Sequence, residues 1–195
     1  TISCLLPVLP VTAQLTKDIE YAKPGGASLL LDAYVPEGKG PFPTVILVHG
    51  GGWVNGTQRS YVPPLFDPLS NAGFAWFTIN YRLAPGSHFP AQAEDVDAAI
   101  RWVKKHAREY KVDTRRIALM GESAGGHLVS YAGARGKGDT RVAAVVAFYG
   151  AHDLLGRAKK LGEINDNVKD VQLCVQVSAK SANEEQKSAN QRPPW

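Results

Sequence analysis

The sequence predicts one α/β domain, a mostly parallel sheet with helices on both faces that is incomplete toward its C-terminal side. Three observations carry that prediction. Between residues 16 and 150, short apolar runs alternate with longer helical patterns, the order that threads parallel strands through crossover helices. Most of these runs are continuous and rich in β-branched residues, as strands buried on both faces are. With 195 residues, 44% of them hydrophobic and 21% charged, the chain suits a single domain with a sizeable core, and collagen-like, coiled-coil and wholly disordered classes are excluded.

The segment Ile2 to Val11 is apolar, and Val11-Thr12-Ala13 has the small residues of a signal cleavage site, so residues 1–13 read as the remnant of an export signal. That reading makes the protein secreted or periplasmic, and cytoplasmic if the stretch is not a signal. It also removes Cys4 and leaves Cys174 as a lone thiol. Two cysteines are too few for a disulfide framework, and no Cys or His pair between them has zinc-like spacing. No apolar run approaches the roughly 20 residues that cross a bilayer, so no transmembrane segment is expected. The formal net charge of +4 comes from basic residues scattered along the chain, which argues against a nucleic-acid partner.

The core, residues 14–165, begins with Ser28 to Val35, whose loose alternation suits an early antiparallel strand. Thr44 to Val48 is an unbroken branched run ending at Gly50-Gly51-Gly52 and reads as a central strand. Phe74 to Ile79, Ile117 to Met120 and Val142 to Phe148 are of the same type. A helix is expected over Ala91 to Tyr110, where Val96, Ile100, Val103, Ala107 and Tyr110 form one stripe facing the sheet. Glu94, Asp95 and Asp97 crowd its start and Lys104, Lys105 and Arg108 its end, a structural charge pattern that complements the helix dipole. A shorter helix should run from Ser123 to about Ala134, broken by Gly136 to Gly138. After residue 150 polar residues accumulate. Val171, Leu173, Val175 and Val177 alternate with polar partners as a half-exposed strand would, and the last 18 residues hold no Val, Leu, Ile, Met or Phe. Residues 166–195 are therefore expected to be a divergent polar tail, disordered from Ser178 onward.

Two motifs carry chemistry. Gly121-Glu122-Ser123-Ala124-Gly125 follows one strand and opens a small-residue helix. Glycines two before and two after the serine allow a tight strand-to-helix turn that lifts the hydroxyl above the sheet edge, and the helix start aims free N–H groups at the place where negative charge would form. His49-Gly50-Gly51-Gly52-Trp53 follows another buried strand, and its glycines leave N–H groups unobstructed for an oxyanion. Ser123 is thus the candidate nucleophile, with Gly51, Gly52 and Ala124 as oxyanion donors. Trp53 either lines the acyl site or covers the sheet.

These motifs, with Asn80-Tyr81-Arg82-Leu83-Ala84-Pro85, Phe89-Pro90-Ala91-Gln92, Glu94-Asp95-Val96 and the continuation Gly126-His127, resemble the α/β-hydrolase fold over residues 16–165. Within it they are most similar to hormone-sensitive-lipase-like and feruloyl-esterase-like carboxylesterases. The resemblance implies hydrolysis of small-molecule esters, short-chain or plant-wall-type, through an acyl-serine on Ser123, with no metal or organic cofactor. It matches Gly51, Gly52 and Ala124 to the family's oxyanion hole.

The chain then departs from the pattern. In this fold the triad runs Ser, then Asp or Glu, then His, on loops after later strands. Only 72 residues follow Ser123, and His49, His88, His106, His127 and His152 are the only histidines, none in the late position. His127 is expected to be structural, and the aspartate matching Asp153 looks structural in many relatives. Glu184 and Glu185 have the right order for an acid but sit in the polar tail. Arg82 is expected to fix its loop by hydrogen bonds, and Asp95, which precedes the nucleophile, to be a structural partner. The chain therefore reads as a serine esterase shortened by a truncated or frame-shifted gene, with a sheet edge open to homo-oligomer formation. Two alternatives stand beside it: a catalytically silent ligand-binding module on this fold, and a peptidase.

Overall fold

The computed structural model describes residues 12–153. The export-signal stretch up to Val11, the strand at residues 171–177, the polar tail, Glu184 and Glu185 lie outside the described residues.

Six strands form one sheet: β1 (Gln14–Ala22), β2 (Leu29–Val35), β3 (Phe42–Val48), β4 (Ala75–Ile79), β5 (Val112–Glu122) and β6 (Ala144–Phe148). Their spatial order is β1-β2-β4-β3-β5-β6. β1 pairs antiparallel with β2 and β2 with β4, while β4, β3, β5 and β6 run parallel. The helices are α1 (Phe66–Asn71), α2 (Ala91–Lys105) and α3 (Ala124–Arg135). Phe66 and Leu69 of α1 pack on a cluster of Val45, Leu47, Val62 and Trp76. On the opposite face α2 and α3 bury Val96, Ile100, Val103 and Leu128 against Ile46, Phe77, Ile79 and Leu119. This is the expected mostly parallel sheet with helices on both faces. Phe77, Leu31, Ile46, Ile79 and Leu119 are completely buried, each worth about 1.5–3 kcal/mol of hydrophobic stabilisation before the ordering cost.

Three elements differ from the sequence expectation. β1 was not foreseen, because the alternation of Leu15, Ile19 and Tyr21 in Gln14–Ala22 is broken by Lys17 and only Tyr21 is buried; pairing with β2, through two register irregularities, makes it a strand. α2 stops at Lys105, five residues short of Tyr110. The last apolar position is still filled, because a turn in which Tyr110 N–H donates to the His106 carbonyl at 3.1 Å brings Tyr110 into the core. β6 reads like a buried central strand, yet all five of its residues are exposed among the described residues. β5 pairs one of its edges, and no described strand pairs the other. None of the described helices is long and apolar enough to cross a membrane.

Asn80-Tyr81-Arg82, the exit from β4, holds the parallel strands' upper ends in place. The Asn80 side chain accepts the Leu30 N–H at 2.8 Å and its carbonyl accepts the Tyr21 hydroxyl at 2.7 Å. Tyr81 reaches the loop after β3, donating to the His49 and Gly50 carbonyls at 3.0 and 3.1 Å. Arg82 grips the buried Asp95 of α2: its Nε and Nη2 donate to the carboxylate at 2.9 and 2.7 Å, and its own backbone N–H adds a third bond at 2.9 Å. Both residues therefore do the structural work expected of them.

Candidate active site

β5 runs into α3 through a single residue, Ser123, at φ 52° and ψ −117°. A non-glycine residue at such a φ is held there at a cost of about 1–3 kcal/mol, and the surroundings enforce it. Ser123 N–H donates to the Phe148 carbonyl of β6 at 2.9 Å, and Ser123 C=O accepts the His127 N–H at 3.0 Å, the first bond of α3. The flanking glycines are steric requirements. A Cβ on Gly121 would lie 2.5 Å from the Gly125 carbonyl oxygen, and one on Gly125 would strike the Val48 carbonyl and approach the His49 carbonyl to 2.6 Å.

The loop after β3 turns equally tightly. Gly51, Gly52 and Trp53 have φ of 97°, 62° and 66°, and the Gly51 carbonyl accepts the N–H groups of Val54 and Asn55 at 3.1 Å. Below this loop the His49 ring stacks on Tyr81 at 4.3 Å, with Nδ1 2.7 Å from the Gly50 carbonyl. Burial lowers the His49 pKa to about 4, so near pH 7 the ring is neutral.

A cavity of about 160 Å³ lies between the two turns, lined by Gly52, Trp53, Ser123, Ala124, Tyr149, Gly150 and Ala151. It brings together four of the five residues singled out from sequence; Gly51 sits one residue behind the lining. Among the described residues, the N–H groups of Gly51, Gly52 and Ala124 have no carbonyl partner, and Ala124 is the first residue of α3, at the positive end of its dipole. Trp53 is 6% exposed within the core cluster and also lines the cavity.

The histidines stand elsewhere. His127 packs edge-on against Trp53 at 5.5 Å, and burial, then the nearby His152 charge, lowers its pKa to about 4. His106 stacks on Trp102 at 4.0 Å. The His152 ring folds back against Gly150. Among the described residues no imidazole lines the cavity. Sequence reasoning missed Glu122 and Tyr149. Glu122 occupies a variable position of the serine motif, and its 2.7 Å bond from the Gly50 N–H spans 72 positions of sequence. Tyr149 was legible only as the residue after a strand.

A serine on a strand-to-helix turn beside a glycine loop, at the upper edge of a parallel sheet, defines the α/β-hydrolase fold of esterases. Residues 31–193 match the BD-FAE family model, and the chain belongs to that family. It is 39% identical over 124 residues to the probable carboxylic ester hydrolase LipM of Mycobacterium tuberculosis (strain ATCC 25618 / H37Rv), a match covering 58% of this chain and 29% of LipM. A truncated form of a carbohydrate esterase from gut microbiota superposes with a TM-score of 0.66 at 30% identity, over 76% of this chain and 60% of that one. Thermogutta terrifontis esterase 2, phosphorylated by paraoxon, gives 0.63 at 25% identity, over 73% and 59%. The chain spans about a third of the length of the curated relatives it matches.

Proposed function

We propose that this chain carries the nucleophile and oxyanion half of a carboxylic-ester hydrolase for short-chain or plant-wall-type esters. Ser123 Oγ adds to the ester carbonyl. The carbonyl oxygen becomes an oxyanion facing the N–H groups of Gly51, Gly52 and Ala124, which gain strength as its charge develops. Collapse of the tetrahedral adduct breaks the C–O bond to the alcohol, which leaves with the serine's proton, and water then releases the acid from the acyl-serine. A hydroxyl needs a base to take its proton, and the described lining holds none, so that transfer falls to a group outside it.

The observation that carries this reading is the strained Ser123 at the cavity beside Gly52 and Ala124. The relatives support it: LipM is a probable carboxylic ester hydrolase and the Thermogutta enzyme is phosphorylated by paraoxon. A fluorophosphonate probe tests it on the purified full chain. Wild type should label and Ser123→Ala should not, and equal labelling of the two removes Ser123 from the mechanism.

A further inference from the structure

Glu122 lies between the two turns of the site and reaches into both. Its Oε1 accepts the Gly50 N–H at 2.7 Å, and the fit is close enough that a methyl on Gly50 would come within 2.7 Å of Cδ and 2.9 Å of Oε2. Tyr149 lines the cavity and is held at φ 42°. The residue next to Glu122 is Ser123, itself tied to β6 through the Phe148 carbonyl. One carboxylate thus ties the glycine loop to the end of β5 that carries the serine turn.

We infer that Glu122 is a positioning residue, whose carboxylate sets the separation between Ser123 and the loop N–H donors by holding the Gly50 N–H. It acts through Gly50 and touches no reacting atom. The inference rests on Ser123 and the loop amides being nucleophile and oxyanion donors. A carboxylate suits the task because a bond to a charged acceptor is roughly twice as strong as one to a neutral acceptor.

The test combines amide hydrogen exchange over residues 48–54 with the rate of fluorophosphonate labelling in the full chain. Glu122→Ala should speed exchange at Gly50 about tenfold or more and slow labelling by about ten- to a hundredfold, the range expected for a lost charge-assisted bond. Glu122→Gln, which keeps an acceptor oxygen at full reach but not the charge, should recover part of both effects. Glu122→Asp keeps the charge but falls a methylene short and should resemble Ala, which provides a second reading if the Ala variant does not fold. Unchanged exchange in the Ala or Asp variant, or Gln behaving like Ala, overturns the inference. Exchange that responds to Glu122 in a chain whose labelling ignores Ser123→Ala would instead sink the nucleophile reading alone.

Discussion

Two glycines of α3 would each collide with a neighbour if given a methyl group, and their consequences should be opposite. At Gly125 the obstacles are main-chain atoms: a Cβ would strike the Val48 carbonyl oxygen and come within 2.6 Å of the His49 carbonyl and 2.7 Å of the Val48 carbon. Relief requires moving the start of α3 off the end of β3 by roughly 1 Å, a form of overpacking that costs about 1–3 kcal/mol. At Gly133 the obstacle is the Val145 side chain, with Cγ2 in collision but Cβ at 3.6 Å and Cγ1 at 3.9 Å. Val145 is 38% exposed on β6 and can change rotamer for about 0.5–1.5 kcal/mol, which the gain of about 1 kcal/mol for Ala over Gly in a helix offsets. Urea unfolding followed by tryptophan fluorescence should therefore place Gly125→Ala about 1–3 kcal/mol below wild type and Gly133→Ala within about 0.5 kcal/mol of it. Fluorophosphonate labelling should fall by up to about a hundredfold in Gly125→Ala alone, because the shift separates Ser123 and the Ala124 N–H from the glycine loop. A Gly125→Ala protein of wild-type stability, or a Gly133→Ala protein that loses more, refutes the distinction between main-chain and side-chain obstacles.

Asp95→Ala leaves the Arg82 guanidinium and backbone N–H facing a void at a site where the carboxylate is 2% exposed, and should cost about 3 kcal/mol. Asp95→Asn, keeping an acceptor, should lose distinctly less in the same urea assay. Stability should also depend on pH through His49 and His127, both lowered from 6.5 to about 4, first of all by burial. Between those values the unfolded chain binds protons that the folded one refuses, so this stability is complete above pH 6.5 and lost toward pH 4, at about 1.4 kcal/mol per unit for each histidine. A urea midpoint unchanged from about pH 7.5 to about pH 5 contradicts this. Free imidazole cleaves nitrophenyl esters by itself, so the rate above a protein-free control at the same imidazole concentration is what counts: that excess should rise with imidazole in wild type and be absent in Ser123→Ala, since no imidazole lines the cavity among the described residues. A Ser123-dependent rate indifferent to imidazole shows that the chain supplies its own base.

The parts of the fold that were legible in the sequence are those whose cause is local. β3 and the α2 stripe announce themselves by uninterrupted branched residues and by helical spacing, since burial on two faces or one leaves a matching pattern. The serine turn is legible because Gly121 answers a collision with backbone only four residues away, at Gly125, and the pattern of glycines around the serine is itself local, although the obstacles at Gly125 belong to the distant end of β3. What escaped is what distant neighbours impose. β1 exists through its pairing with β2, Glu122 acquires its bond only when β3 and β5 lie side by side, and the exposure of β6 among the described residues depends on neighbours that its own sequence does not record.

Strand order alone also places the site, without reference to any motif. From β3 the chain crosses through α1 to β4 on one side, and from β5 it crosses through α3 to β6 on the other, so neighbouring parallel strands send their exits in opposite directions. Right-handed crossovers of opposite sense put α1 and α3 on opposite faces, as the two core clusters show. The loops after β3 and β5 must therefore diverge, leaving a crevice above the carboxyl ends of these strands where a ligand fits. The residues bordering that crevice are those of the glycine loop and the serine turn, and the cavity opens between them. Had Ser123 been a packing residue in a glycine-rich turn, it could have stood at the end of any parallel strand; it stands at the strand whose exit parts from that of β3.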